Sequence, residues 1–121
     1  MPSKSFNRTD RISTQLRKEL ALLVHAAVRD HALPSVSVSD VETTKDLDVA
    51  TVYVTTLLAD QSKTAVDALN DMAGEFRREL SRTLTIRRVP ELRFRYDDSV
   101  DKGERIDALL RADKERNPSP D

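Results

Sequence analysis

The side chains best equipped for chemistry in this chain are arginines, and they crowd between Ala73 and Tyr96, AGEFRRELSRTLTIRRVPELRFRY. Arg77, Arg78, Arg82, Arg87, Arg88, Arg93 and Arg95 share that stretch with three acids, Glu75, Glu79 and Glu91, in a protein whose net charge is −1. A guanidinium group stays charged at any physiological pH and grips phosphate through paired hydrogen bonds, so a dense run of arginines points to an anion, above all a nucleic-acid backbone. The opposing reading is a solvated face laced with ion pairs, Glu75 to Arg78 and Glu79 to Arg82 at helical spacing, each contributing little. Arg77, Arg87, Arg88, Arg93 and Arg95 have no acid of similar register nearby, which favours the anion.

A second basic segment opens the chain. Residues 1–18 carry five basic side chains, among them Arg8, Arg11, Arg17 and Lys18, against one acid, while residues 19–72 carry three against nine. Two basic segments split by an acidic one make a single cationic face if the fold brings them together, and a pI near 6.1 would hide it.

Other chemistries find little support. Cysteine is absent, which excludes disulfides, thiol nucleophiles and cysteine-ligated metals. His25 and His31 fall on different sides of a helix with no third ligand evident, so no metal site is expected. Asp97, Asp98, Asp101 and Glu104 invite a calcium-loop reading, but Val100 and Leu109 stand where ligands are required, so these acids read as caps of a following helix, with Asp98 or Ser99 as N-cap. There is no phosphate-cradling glycine loop, nucleophile elbow or HExxH, and no enzyme is expected.

The elements that must position the arginines follow from hydrophobic period. Residues 1–8 lack periodicity and read as a flexible arm. From Thr9 or Asp10, Ile12, Leu16, Leu20, Leu23, Val24 and Ala27 recur at helical spacing to about Asp30, before Pro34. Residues 35–57, rich in β-branched side chains, divide at Thr43 to Asp48 into a hairpin, with a bulge between Val38 and Val41. Ala65, Val66, Leu69, Met72, Ala73, Phe76, Leu80 and Leu84 form a helical stripe through Gly74, compatible with one long helix or with a break there. After Pro90, Leu92, Phe94 and Tyr96 point one way and Arg93 and Arg95 the other, placing the two arginines beside Thr51 and Tyr53 on an uncovered sheet face. A last helix is expected over 102–112, then a disordered polar tail over 112–121.

Helix, strand, strand, helix, helix, strand around a mixed sheet is the K-homology arrangement of the second type. The fold class is therefore α+β, a type II KH-like domain over residues 9–111 with three strands and the helices on one face. Few aromatic residues, 4% of the chain, leave little for base stacking, so an RNA partner would be held by shape and backbone. No secretory signal precedes the domain, and the apolar run Leu20 to Val28 is too short to span a membrane. A soluble, cytoplasmic monomer without cofactor, metal or membrane is expected.

Over roughly Asn7 to Arg111 the sequence resembles the ribosome-binding factor A family of bacteria, most closely in RRVPELRFRYDDSVDKGERIDALL, with Arg88, Pro90, Leu92, Phe94, Asp97, Ser99 and Gly103 at the family's spacing. The resemblance implies a fold whose usual GxxG loop is replaced by an interhelical Ala-x-Gly kink. Met72-Ala73-Gly74 stands there, matching the glycine but not the first alanine. It also implies binding to the immature 30S subunit and 16S ribosomal RNA, help with late maturation including processing of the RNA 5′ end, a part in growth in the cold, and release by an assembly GTPase. The RNA-binding set on this reading is Arg77, Arg78, Arg82, Arg87 and Arg88, extended by Arg8, Arg11, Arg17 and Lys18. About five phosphate contacts would give a log-log salt slope of about −3.5 to −4.5. The alternatives are a protein-interaction module engaging an acidic partner, whose complex would survive nuclease, and a general single-strand RNA binder, which would not prefer subunits.

Overall fold

The computed structural model describes residues 8–99. The expected last helix over 102–112 and the tail over 112–121 lie outside the described residues. Elements run α1 (Arg8–His31), β1 (Val36–Thr43), β2 (Val49–Thr56), a single 3-10 turn (Ala59–Gln61), α2 (Ser62–Asp71), α3 (Ala73–Thr83) and β3 (Glu91–Tyr96). This is the α+β, type II order read from the sequence.

The helix α1 buries Ile12, Leu16, Leu20, Val24 and Ala27, the expected stripe, with Asp10 in its first turn and Arg29 and His31 in its last, as the helix dipole favours. It stops at Ala32, which adopts the left-handed conformation (φ 53°) and turns the chain before Pro34. The strands β1 and β2 pair antiparallel with a register shift between Val38 and Asp40, the expected bulge, and β2 pairs parallel to β3 in the order β1-β2-β3. Ser39, the extra residue, donates its hydroxyl to Asp97 Oδ2 at 2.6 Å and so ties β1 to the chain leaving β3.

Alternation sorts the sheet into two faces. Ala50, Val52, Val54, Leu92 and Phe94 are buried against Leu16, Leu20 and Val24 of α1 and Ala65, Leu69, Phe76 and Leu80 of α2 and α3. Phe76 meets Phe94 edge to face at 5.7 Å between centroids. Burying each large aliphatic residue contributes about 1.5–3 kcal/mol, and among the described residues no polar or charged residue is buried in this core. On the other face Thr51 pairs with Arg93 and Tyr53 with Arg95, as the parity of β3 requires.

The long apolar stripe is interrupted. Helical geometry fails at Met72 (φ −93°, ψ 1°), whose N–H is 3.2 Å from the Ala68 carbonyl and 3.1 Å from that of Leu69, while its own carbonyl already receives Phe76 N at 3.1 Å. The joint thus falls on Met72, and Ala73 and Gly74 open α3. Leu69, Phe76 and Leu80 stay buried through the break, which is why periodicity alone did not locate it.

Across the joint, α2 also guards the outer edge of β3. Asn70 Oδ1 accepts Phe94 N–H at 2.8 Å and Asn70 Nδ2 donates to the Phe94 carbonyl at 3.1 Å, so one side-chain amide replaces a neighbouring strand.

Candidate nucleic-acid interface

Arg87 and Arg88 sit in the loop between α3 and β3, exposed between buried anchors, Leu84 before them and Val89 and Pro90 after. That alternation drives the apolar residues inward and leaves the two guanidinium groups in solvent. Arg8, the first residue of α1, lines the same cleft together with Ile12, Ile86 and the β1–β2 turn, Asp46, Leu47 and Asp48. Three segments remote in sequence therefore meet at one end of the molecule.

The turn is well fixed. Thr44 N–H bonds the Val49 carbonyl at 3.0 Å, Leu47 N–H bonds the Thr44 carbonyl at 2.9 Å, and Leu47 takes the left-handed conformation (φ 62°). The Thr44 hydroxyl donates to Asp46 Oδ1 at 2.7 Å and, with the Asp48 N–H, holds the Asp46 carboxyl below the ordinary aspartate value. Glu91 N–H bonds the Asp48 carbonyl at 2.8 Å, docking the turn onto the start of β3. Arg88 Nη2 makes an ion pair with Asp48 Oδ1.

A second cleft lies between α3 and the last turns of α1. It is floored by Leu23, Ala27, Met72 and Phe76 and rimmed by Arg78 and Arg82 with Asp30, Glu75 and Glu79. Arg82 pairs with Glu79 at 3.0 Å, one of the two helical pairs anticipated; among the described residues Arg78 makes no ion pair. Arg77 differs from both. It is half-buried, its Nη2 donates to the Val89 carbonyl at 2.8 Å, and its Nε is buried without a partner among the described residues, so this side chain fastens the approach to β3.

The arginines thus divide into separate groups. Arg8, Arg87 and Arg88 share one cleft, Arg78 and Arg82 another, and Arg77 turns inward. Arg11, Arg17 and Lys18 are all exposed. At about 100° per residue, Arg11 and Lys18 lie on the flank of α1 that carries Arg8, whereas Arg17, nine residues on, lies about half a turn away from it. The expectation that Arg88 and Arg93 lack acidic neighbours needs correcting, since Arg88 meets Asp48 and Arg93 meets Glu91 at 2.9 Å. The second pair was legible, because residues two apart on a strand share a face. The first was not, because only the docked turn brings it about.

At the joint, Gly74 is exposed, and a Cβ added to it would have no heavy atom within 4 Å. The fold itself therefore places no steric demand for glycine there. On the open sheet face Tyr53 donates to Glu42 Oε1 at 3.1 Å, which raises its phenol pKa, and Arg93 lowers that of Glu91. Among the described residues, no group of three or more His, Asp or Glu side chains is arranged to hold a metal ion, and no helix is long and apolar enough to cross a membrane.

Comparison with known proteins agrees with this fold. A family model described as ribosome-binding factor A matches residues 8–110. The chain is 60% identical over 111 residues to ribosome-binding factor A of Xanthomonas euvesicatoria pv. vesicatoria (strain 85-10), covering 92% of this chain and 85% of that protein. It is 56% identical over 124 residues to that of Xylella fastidiosa (strain M23), covering 98% and 99%. The crystal structure of ribosome-binding factor A from Thermus thermophilus is similar with a TM-score of 0.65 at 28% identity, over 73% of this chain and 93% of that one. Coordinates of a homology model of the Thermus thermophilus protein, fitted into the cryo-EM map of a 30S–RbfA complex, match with a TM-score of 0.62 at 28% identity, over the same shares of each chain.

Proposed function

The chain belongs to the ribosome-binding factor A family, and we propose that it binds the immature 30S subunit through 16S ribosomal RNA, gripping backbone phosphates at the end where Arg8, Arg87 and Arg88 converge. The observation that carries this reading is that convergence. Three guanidinium groups from remote segments face one cleft, two of them without an acidic partner among the described residues, and closely spaced phosphates of folded RNA are the natural counter-charge. The Thermus thermophilus protein fitted into a 30S complex supports the same partner.

On this reading the protein is a cytoplasmic, monomeric assembly factor without catalytic activity. It holds the subunit during late maturation and 16S processing, with the greatest demand in the cold, and is released by an assembly GTPase. Arg11 and Lys18, on the flank of Arg8, extend the contact; Arg17 and Arg77 do not.

The test is co-sedimentation of the purified protein with small subunits across a salt series. Reversing Arg8 and Arg87 together to glutamate should weaken binding about 10- to 30-fold near physiological salt and flatten the log-log slope by about 1.4–1.8, with the thermal midpoint unchanged. Undiminished binding by that variant would remove the assignment of this end to RNA.

A further inference from the structure

The cationic cleft contains its own opposition. Beside Arg8, Arg87 and Arg88 stand Asp46 and Asp48. The two carboxylates are engaged differently. Asp46 spends its oxygen on the turn, accepting from the Thr44 hydroxyl at 2.7 Å and the Asp48 N–H at 3.1 Å. The Asp48 carboxylate is directed instead at Arg88.

Asp48 is also held in place from both sides. Its N–H lies 3.1 Å from Thr44 Oγ1 as well as from Asp46 Oδ1, and its carbonyl accepts Glu91 N–H at 2.8 Å. The fixed backbone keeps the Asp48 side chain within reach of Arg88, and both side chains of the pair remain exposed. A carboxylate and a phosphate both offer a guanidinium fork two oxygens at similar separation, so Asp48 holds on Arg88 the place a phosphate oxygen would take.

We propose that Asp48 is a built-in competitor at the RNA-binding end: it occupies Arg88 until a phosphate displaces it, and so lowers the affinity of this end for any polyanion that needs Arg88. The inference rests on the reading that this end of the molecule meets ribosomal RNA. A flexible strand that displaces Asp48 gains one contact and leaves a carboxylate unpaired beside its own phosphate. Folded RNA engaging Arg8, Arg87 and Arg88 together meets the same penalty at Arg88, so the competitor lowers its affinity too.

The experiment compares Asp48→Asn with the unmodified protein on two probes over a salt series, a 20-nucleotide oligouridine and purified small subunits. Asparagine keeps the shape and the turn but loses the charge. Oligouridine should bind about two- to fivefold tighter, with a slope steeper by about 0.7, and small subunits should gain at least as much. Arg88→Gln should cost the unmodified protein little on oligouridine and should cancel the gain in the Asp48→Asn background, a coupling that a merely loosened fold would not produce. Unchanged or weaker oligouridine binding by Asp48→Asn overturns the proposal, as does a gain that survives Arg88→Gln. Failure of the underlying reading looks different: reversal of Arg8 and Arg87 would then leave both probes unaffected, whatever Asp48→Asn does.

Discussion

Arg78 and Arg82 stand one turn apart on α3, in a cleft whose rim also carries Asp30, Glu75 and Glu79, whereas Arg8, Arg87 and Arg88 reach their cleft from opposite ends of the described chain. The difference is one of backbone. A helix assigns each residue its neighbours three and four positions away, so acids in the same segment are delivered to the arginines automatically, as Glu79 is to Arg82. A loop assigns none, and the surroundings of Arg87 and Arg88 are set by what the fold docks beside them. Local charge density located the arginines without telling which of them keep their charge available.

The largest test of this contrast sets the two groups against each other on the small subunit. If local acids neutralise the α3 pair, reversing Arg78 and Arg82 should weaken co-sedimentation by less than about threefold, against the about 10- to 30-fold expected for Arg8 and Arg87. Equal losses would restore the single continuous surface that the sequence alone suggested.

Arg77 sharpens the comparison from within α3, because it is the arginine of that helix which the fold consumes. Arg77→Ala should cost about 1.5–3 kcal/mol in denaturant unfolding, since it removes a charged donor from the Val89 carbonyl, and should leave subunit affinity unchanged. Arg77→Met, which keeps the packed stem and removes the unpartnered buried Nε, should cost less than alanine.

These contrasts mark what the sequence made legible. The period of two marked Ala50, Val52 and Val54 as one face and put Thr51 and Arg93 on the other, and the parity change between Val38 and Val41 announced the bulge, because faces of a sheet are a local property. The helical stripe identified Phe76 and Leu80 but passed over the joint at Met72, since a one-residue interruption can leave the buried side on the same core. Asp48, Asn70 and Ser39 escaped altogether. Each acts on a partner 24 to 58 residues away, Phe94 for Asn70, Arg88 for Asp48 and Asp97 for Ser39, and nothing in a window of sequence encodes such a meeting.

Gly74 separates fold from binding at the joint beside the cleft of Arg78 and Arg82. With open space around the missing side chain, Gly74→Ala should stabilise the protein by about 0.5–1 kcal/mol, read from denaturant unfolding. If RNA backbone approaches the joint closely, the same variant should also bind small subunits less well, a stability gain with a binding loss. A stability gain with unchanged binding would place the joint outside the interface and leave the Arg8, Arg87 and Arg88 end as the principal contact.

The smallest effect concerns Ser39 and Asp97, a long-range pair at the other end of the strands from the cationic cleft. The Ser39 hydroxyl, followed by the side chain and N–H of Ser99, holds the Asp97 carboxyl below its ordinary value of about 3.9. A carboxyl lowered in the folded state binds a proton less readily than in the unfolded chain, so its contribution is fully present above the unfolded value and is lost as pH falls through the folded one. Ser39→Ala should therefore lower the thermal midpoint slightly between pH 6 and 8, and the gap to the unmodified protein should close as pH drops below about 4. Because Asp97 is remote from Arg8, Arg87 and Arg88, subunit affinity near neutrality should not change. If it did, the two ends of the sheet would be coupled, and treating the cationic cleft as a self-contained site would have to be given up.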